Sequence, residues 1–537
     1  MLSHHQRRRT PGRVLRAVRF GITAALIAVT AACADSSGGG TPSANATPRT
    51  GGDITMLVLG DARGLNPYTA STSPQGDGSK LSALYDVLLW SDPATGTVRP
   101  QMAESMVADR DSLVWTLTLR ADIRFSDGAP LDAQAVKTAW ERHLDPKVQS
   151  AAAATVKQLT LTVLDERRLS VKLPSPNANF DRMVVRLLNF VPSPRTLASD
   201  EALAASNTAP VGAGPYKLRE WVPGDHMTFE RNPDYWQRGK PHLDTVTMRI
   251  STDTSKDVQA IDDGEADLAL TVDPVTEADA KDKGLGTSEI ALSGGLSVAF
   301  NTRDKRPLAN PDLRRAIALS LDTKDIDQVF YQGKGRPAKG IFESSSPLGN
   351  IQLSLPQNDP NQAAALYAQA TDNGRKPVKL TYSVPNTPRS VQLAQYFKGR
   401  IDAASKGAVT VDLAVIDLHV YPKRVQVDAD FDITTSAIAA DDPEPTLYQY
   451  LHSKAGPPNL TGYQNAQVDA ALEAARLSTD RTVRSEAYTR VQVELIKDIP
   501  FFVFQEQIAA IIASPKLTGM QLYGDGHILW DRIGLRA

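Results

Sequence analysis

Ile123-Arg-Phe-Ser-Asp-Gly-Ala-Pro-Leu-Asp-Ala-Gln-Ala-Val136 joins two opposite periodicities, and they decide the fold class. Upstream, Val114–Arg120 alternates. Trp115, Leu117 and Leu119 take one face while Thr116, Thr118 and Arg120 take the other, the period-two pattern of a half-buried strand. Asp127-Gly128 is a turn, because glycine tolerates positive φ and aspartate bonds to the backbone two residues on. Downstream, Asp132 can cap a helix that carries Val136, Ala139, Trp140 and His143 on one side. Strand, turn and helix within thirty residues predict a mixed α/β protein.

The same alternation extends both ways. Ile54–Leu59 is a short β-rich run after Gly51-Gly52. Asn310 caps a helix with Pro311 at its first position and Leu313, Ala316, Ile317 and Leu321 at helical spacing. Val468, Ala471, Leu472 and Ala475 mark one late helix. Tyr488, Val491 and Leu495 mark the next, which must stop before Pro500. A chain of 537 residues is long enough for several cores, and 41% hydrophobic with 22% charged residues is an ordinary globular balance.

Charge is concentrated at the start. The first 32 residues hold six arginines and no acid; the remainder has 53 basic against 61 acidic residues. A mildly acidic body argues against nucleic acid as a partner, since phosphate binding needs a basic face. Arginines 7, 8, 9, 13, 16 and 19 precede the apolar run Phe20–Ala32, a signal-peptide core too short to span a bilayer as a helix. The run ends at Thr30-Ala31-Ala32-Cys33, which resembles a bacterial lipoprotein box and places lipidation on Cys33, the only cysteine in the chain. Thr30 stands where such boxes carry an aliphatic residue. Residues 34–50 contain no large apolar side chain and read as a tether of roughly 20–25 Å root-mean-square span. A single cysteine excludes both an intramolecular disulfide framework and a multi-cysteine zinc site.

From Gly51 onward the chain resembles family five of the extracellular solute-binding proteins, the large peptide-binding lipoproteins of ABC importers. The resemblance rests on fragments in a fixed order: Gly64-Leu-Asn-Pro-Tyr68, Ala83-Leu-Tyr-Asp-Val-Leu-Leu89, Pro100-Gln-Met-Ala-Glu-Ser105, Trp115–Arg120 and the Ile123–Val136 stretch. Pro210-Val-Gly-Ala-Gly-Pro-Tyr-Lys217, Arg231-Asn-Pro-Asp-Tyr-Trp236, Asp263-Gly-Glu-Ala-Asp267, Phe300-Asn301 and Leu313-Arg-Arg-Ala-Ile317 with Asp322 follow. Ala440-Asp-Asp-Pro-Glu-Pro445 and Asn459 with Tyr463, Asn465 and Asp469 close the series. The resemblance implies a two-lobed periplasmic-binding-protein-like fold of the large, cluster C type, with an extra subdomain in the first lobe. By motif order, lobe I takes residues 51–93, 205–295 and 500–537, the inserted subdomain 94–204 and lobe II 296–499. It further implies a monomer that closes on an oligopeptide or another small solute and delivers it to a permease powered by separate ATPase subunits.

Ser436-Ala-Ile-Ala-Ala-Asp-Asp-Pro-Glu-Pro445 carries the sharpest expectation. In peptide-binding relatives the equivalent run pairs its extended backbone with the peptide, and its aspartate receives the peptide's α-ammonium. Carried over, Ala437 and Ala439 offer backbone groups and Asp441 holds the ammonium, with Asp442 as the alternative carboxylate. Ile438 occupies the position of a family tryptophan, and Asn66 and Tyr68 are the further candidate contacts. The loss of that aromatic leaves the ligand class open to a sugar, an opine-like compound or a metal chelate. Trp115, Trp140, Trp221 and Trp236 read as core or lobe-contact aromatics.

No enzyme signature is complete: Gly-x-Ser-x-Gly, His-Glu-x-x-His and a Walker lysine loop are all missing. A secreted hydrolase on this fold is therefore the weaker alternative, and no cofactor is expected. Asp428, Asp430 and Asp432 imitate the start of a calcium loop, but Ile433 stands where glycine is needed and Ala439 where glutamate is needed. His143, His226, His242, His419, His452 and His527 lie at no metal-ligand spacing from one another.

Overall fold

The computed structural model describes residues 47–537, apart from residue 71 and residues 456–458. Cys33, the export segment and most of the tether lie outside the described residues. Among those described, no helix is long and apolar enough to cross a membrane.

A ten-stranded mixed sheet runs through both lobes. On the first-lobe side, Asp53–Val58 pairs in parallel with Thr245–Ile250 and with Leu268–Thr271, and His226–Arg231 and Tyr216–Val222 extend the edge. On the second-lobe side lie Val409–Ile416, Val378–Pro385 and Ile433–Ala440. Two long antiparallel strands, Gly286–Phe300 and Phe501–Ala513, cross between them, with register shifts on either side of Leu296. Gly294, at φ 109°, sits beside those shifts, and a Cβ there would lie 2.1 Å from the Ile438 carbonyl oxygen. Only glycine permits that approach.

Three large apolar clusters form. One gathers Val298 through Phe504 around the second-lobe strands and helices. A second packs the helix Ala133–Arg142 and its neighbours onto a separate four-stranded antiparallel sheet, Ala103–Ala108, Val114–Leu119, Arg168–Lys172 and Thr160–Val163. The third unites the two termini of the described chain, Ile54 with Trp530 and Leu535.

The local signals read in the sequence act as expected. Asp132 accepts from Ala135 N at 2.7 Å, and Trp115, Leu117 and Leu119 are buried on one face of their strand. Asn310 accepts from Asp312 N at 2.9 Å and starts Pro311–Leu319. Val468, Ala471, Leu472 and Ala475 are the buried face of Ala466–Arg476. The four named tryptophans spend their indole N–H groups internally. Trp115 donates to Asn177 O, Trp140 to Leu188 O, Trp221 to Asp61 Oδ1 and Trp236 to Asp86 Oδ2.

The strand Ile433–Ala440 positions the candidate site. It pairs along its whole length with Gly286–Phe300, but its other neighbour, Val378–Pro385, stays with it only at Ile433 and Thr434. From Thr435 onward that second edge is open. A strand turns its N–H and C=O groups alternately to its two sides. The Ser436 carbonyl accepts from Ser297 Oγ on the paired strand, whereas those of Thr435 and Ala439 accept from Tyr421 Oη and Arg186 Nη1. The odd-numbered backbone groups therefore face the open edge, and Ala437 lies exposed between the two.

Candidate functional site: an acidic cleft between the lobes

Ile433–Ala440 ends at two adjacent aspartates with opposite environments. Asp442 caps the helix Pro443–Leu451 through Glu444 N at 2.9 Å. Its carboxylate takes both terminal nitrogens of Arg484, one at 2.9 Å, and Arg182 Nη1 at 3.0 Å from the opposite side of the cleft. Burial works to raise its pKa, but the two guanidinium groups win and hold it below the usual carboxylate range. Asp442 is a spent anion.

Asp441 forms no ion pair among the described residues. Its Oδ2 accepts from Ser91 Oγ at 2.5 Å, a residue of the strand Leu89–Asp92 on the facing lobe. Ser91 is itself aligned by Gly524 N, which donates to its hydroxyl oxygen at 2.8 Å. Asp441 is exposed on the cleft side of the strand, yet the protein packed near its carboxylate still reduces its contact with bulk water. That loss of bulk solvent pushes its carboxyl above the ordinary range. The Ser91 hydrogen bond opposes the rise, Asp442 and Asp525 add to it, and more distant Arg182 offsets it in part.

Arg182 and Arg186, four apart on Phe180–Leu187, reach into this space from one helix face. Arg186 Nη1 lies 3.5 Å from both the Ala439 carbonyl oxygen and Asp525 Oδ2. Burial tends to raise the Asp525 carboxyl, yet His527, with Nδ1 at 3.3 Å, and Arg186 bring it down to about 2. Further along, Glu444 Oε1 receives Arg476 Nη2 at 3.0 Å and Asn177 Nδ2 at 3.2 Å, and Asn179 Nδ2 donates to Ser478 O at 2.9 Å. Ser91, Arg182, Asp441, Asp442, Asp525 and His527 enclose a cavity of about 20 Å³, room for a single water.

The structure brings Asp441, Ala437 and Ala439 to one surface. Ile438 is corrected: its side chain points to the opposite face and is buried in the second-lobe core, because residues alternate along a strand. Asn66 and Tyr68 are corrected likewise. Asn66 Oδ1 accepts from Tyr68 N, and Tyr68 Oη donates to Ala139 O at 2.8 Å with its ring edge-on to His143, so both are spent inside the fold. Sequence reasoning missed Ser91, Arg182, Arg186, Asp525 and His527. The i, i+4 arginines on a short amphipathic helix were the one local signal; the others are joined to the site only by long-range packing. Asp428, Asp430 and Asp432 bond to Lys423, Arg424 and Thr381 N, not to a common centre.

Comparison with known proteins agrees with this architecture. The chain is 28% identical over 472 residues to the probable D,D-dipeptide-binding periplasmic protein DdpA of Escherichia coli (strain K12), covering 84% of this chain and 88% of that one. It is 26% identical over 503 residues to the glutathione-binding protein GsiB of Salmonella paratyphi A, covering 90% and 94%. The periplasmic binding protein DppA of Helicobacter pylori, solved with the peptide STSA, superposes with a TM-score of 0.74 at 21% identity, covering 91% and 99%. The profile described as bacterial extracellular solute-binding proteins, family 5 Middle, matches residues 97–458. With its two lobes and acidic inter-lobe cleft, the chain belongs to family 5 of the bacterial extracellular solute-binding proteins.

Proposed function

We propose that this protein captures short peptides with a free N-terminus outside the cytoplasm and hands them to the permease of an ABC importer, whose ATPase subunits are separate chains. The observation that carries this reading is Asp441, a carboxylate held by Ser91 at the end of an unpaired strand edge, with no ion pair among the described residues. An unpaired carboxylate of this kind favours a cationic partner, and a charge-assisted bond to an ammonium is worth about 1.5–3 kcal/mol. It stands at the end of a strand edge that no other strand pairs and whose outward groups recur every second residue, the spacing a peptide backbone needs to add as a strand. Relatives named for dipeptides and glutathione support the same ligand class. The family is a solute-binding class, and the cleft contributes recognition groups rather than a nucleophile with its base.

In this reading Cys33 carries the lipid that holds the protein at the outer face of the cell membrane, and a monomer suffices. Residues 51–93, 205–295 and 500–537 act as one lobe, 94–204 as its inserted subdomain and 296–499 as the other lobe. The grouping of the three apolar clusters supports that division. Ligand entry requires the lobes to part, since the cavity between them holds no more than a water.

A double-mutant cycle tests the proposal. Asp441→Asn is expected to weaken peptide binding about ten- to hundredfold by calorimetry, and N-terminal acetylation of the peptide should do the same to the wild type. Acetylation should then cost the variant little, because the two changes remove one shared interaction. Additive penalties would remove Asp441 from the site.

A further inference from the structure

The open edge of Ile433–Ala440 is closed off at one end by a side chain. Tyr421 belongs to the segment between the strands Val409–Ile416 and Ile433–Ala440, and its hydroxyl donates to the Thr435 carbonyl at 3.2 Å while lying 2.7 Å from Thr434 Oγ1. Thr435 is the first residue that Val378–Pro385 leaves unpaired, so the Tyr421 hydroxyl occupies the first vacant position on that edge. Tyr382 Oη, 3.3 Å from Thr435 Oγ1, braces the same residue from its side chain. Tyr421 is half-buried, and since Thr434 Oγ1 donates to Ser383 O, the single Tyr421 hydroxyl proton is shared between Thr434 Oγ1 and the Thr435 carbonyl.

We infer that Tyr421 is the residue that sets ligand length, acting as a stop opposite Asp441; the inference rests on the peptide reading above. The strand advances about 3.3–3.4 Å per residue, so the six steps from Thr435 to Asp441 span about 20 Å. Removing the step held by Tyr421 and the reach of the ammonium to the carboxylate leaves about 13 Å, enough for about four extended residues. Within that span Ala437 and Ala439 turn backbone groups outward, the Ala439 carbonyl held only by a long 3.5 Å contact from Arg186 Nη1, and that is what a tri- or tetrapeptide can use. A fifth residue would meet the Tyr421 ring and compete with its hydroxyl for the Thr435 carbonyl.

The test is a calorimetric series with unblocked alanine peptides of two to six residues. Wild-type protein should bind the tri- and tetrapeptide best and the penta- and hexapeptide at least about tenfold more weakly. Tyr421→Phe keeps the ring but removes its tether, and should narrow that gap about five- to tenfold, read as the ratio of hexapeptide to tripeptide affinity. Tyr421→Ala, which empties the slot, should narrow it further. A purely structural tyrosine would shift all lengths together. An unchanged ratio of hexapeptide to tripeptide affinity in both variants overturns the inference, as does a wild type that holds the hexapeptide as tightly as the tripeptide. A wild type that binds none of the series overturns the peptide reading instead, and the absence of any length dependence separates the two failures.

Discussion

Two sets of charges join distant parts of the chain, a front set at the end of Ile433–Ala440 and a rear set beside the crossing strands. At the rear, Arg336 Nη2 meets Glu289 at 2.7 Å and Glu277 at 3.3 Å, Lys281 joins both glutamates, and Lys334 reaches Asp279 at 2.5 Å. Every anion there has a cation and most of the partners are partly exposed. At the front, Asp442, Glu444, Arg182, Arg476 and Arg484 are largely buried, and the adjacent Asp441 has no cation. The rear set is a balanced, mostly exposed network around the buried Glu277, whereas the front set is a satisfied scaffold that leaves Asp441 without an ion pair among the described residues. Long-range ion pairs do not by themselves mark a binding site. The informative feature is the charge that the scaffold leaves over.

The comparison breaks most sharply at Asp442. Arg484 lies on the helix Arg481–Asp498, close in sequence to Asp442, whereas Arg182 lies on Phe180–Leu187, some 260 residues earlier. Arg484→Ala should destabilise the protein by about 3–5 kcal/mol in denaturant unfolding, since it strands a buried carboxylate. Arg182→Ala should cost far less stability and should act on closure, read as a larger radius of gyration in peptide-bound protein. Equal losses from both would show that the two cations are not divided between fold and motion.

Acidity sharpens the contrast at Asp441. Nearby protein, with Asp442 and Asp525, holds its carboxyl above the ordinary aspartate range, and an ammonium binds only the ionised form. Peptide affinity should thus be full between that raised pKa and the α-amino pKa of about 7.7–8.0, and fall as pH drops through the former, about tenfold per unit below. Binding should take up no proton at neutral pH and release protons near the raised pKa. Asp441→Asn should flatten the profile. A wild-type affinity that holds constant down to the pKa of a solvated aspartate would place the ammonium elsewhere.

The smallest effect belongs to the rear network. Arg336→Ala should change stability by no more than about 1 kcal/mol, because Lys281 remains beside both glutamates and the site is partly solvated. Its peptide affinity should match the wild type. A large loss of affinity would mean that the rear contacts, not the cleft, set the open–closed balance.

Local chemistry explains what was legible. Caps at Asp132 and Asn310, the alternating face of Val114–Leu119 and the buried stripe of Ala466–Arg476 each depend on residues within one or two turns. Their spacing is written in the chain. The ordered fragments also pointed to the family and thereby to Asp441. Ile438 misled because motif position is silent about facing: the strand's period of two turns its side chain into the core while its neighbours open outward. Asn66 and Tyr68 misled because a polar side chain in a loop reads the same whether it meets a ligand or Ala139 O.

The sequence by itself determined the α/β class, the helix starts, the export segment as an expectation at Cys33, and an aspartate pair at a strand end. Only the tertiary structure decided between the two aspartates. Adjacent carboxylates are chemically alike until Arg484, 42 residues further on, and Arg182, some 260 residues earlier, neutralise one of them. The same holds for the open edge of Ile433–Ala440, which exists because Val378–Pro385 departs at Thr434. Charge compensation and strand pairing are long-range properties. No window of sequence contains both partners, so folding alone reveals which group is left free.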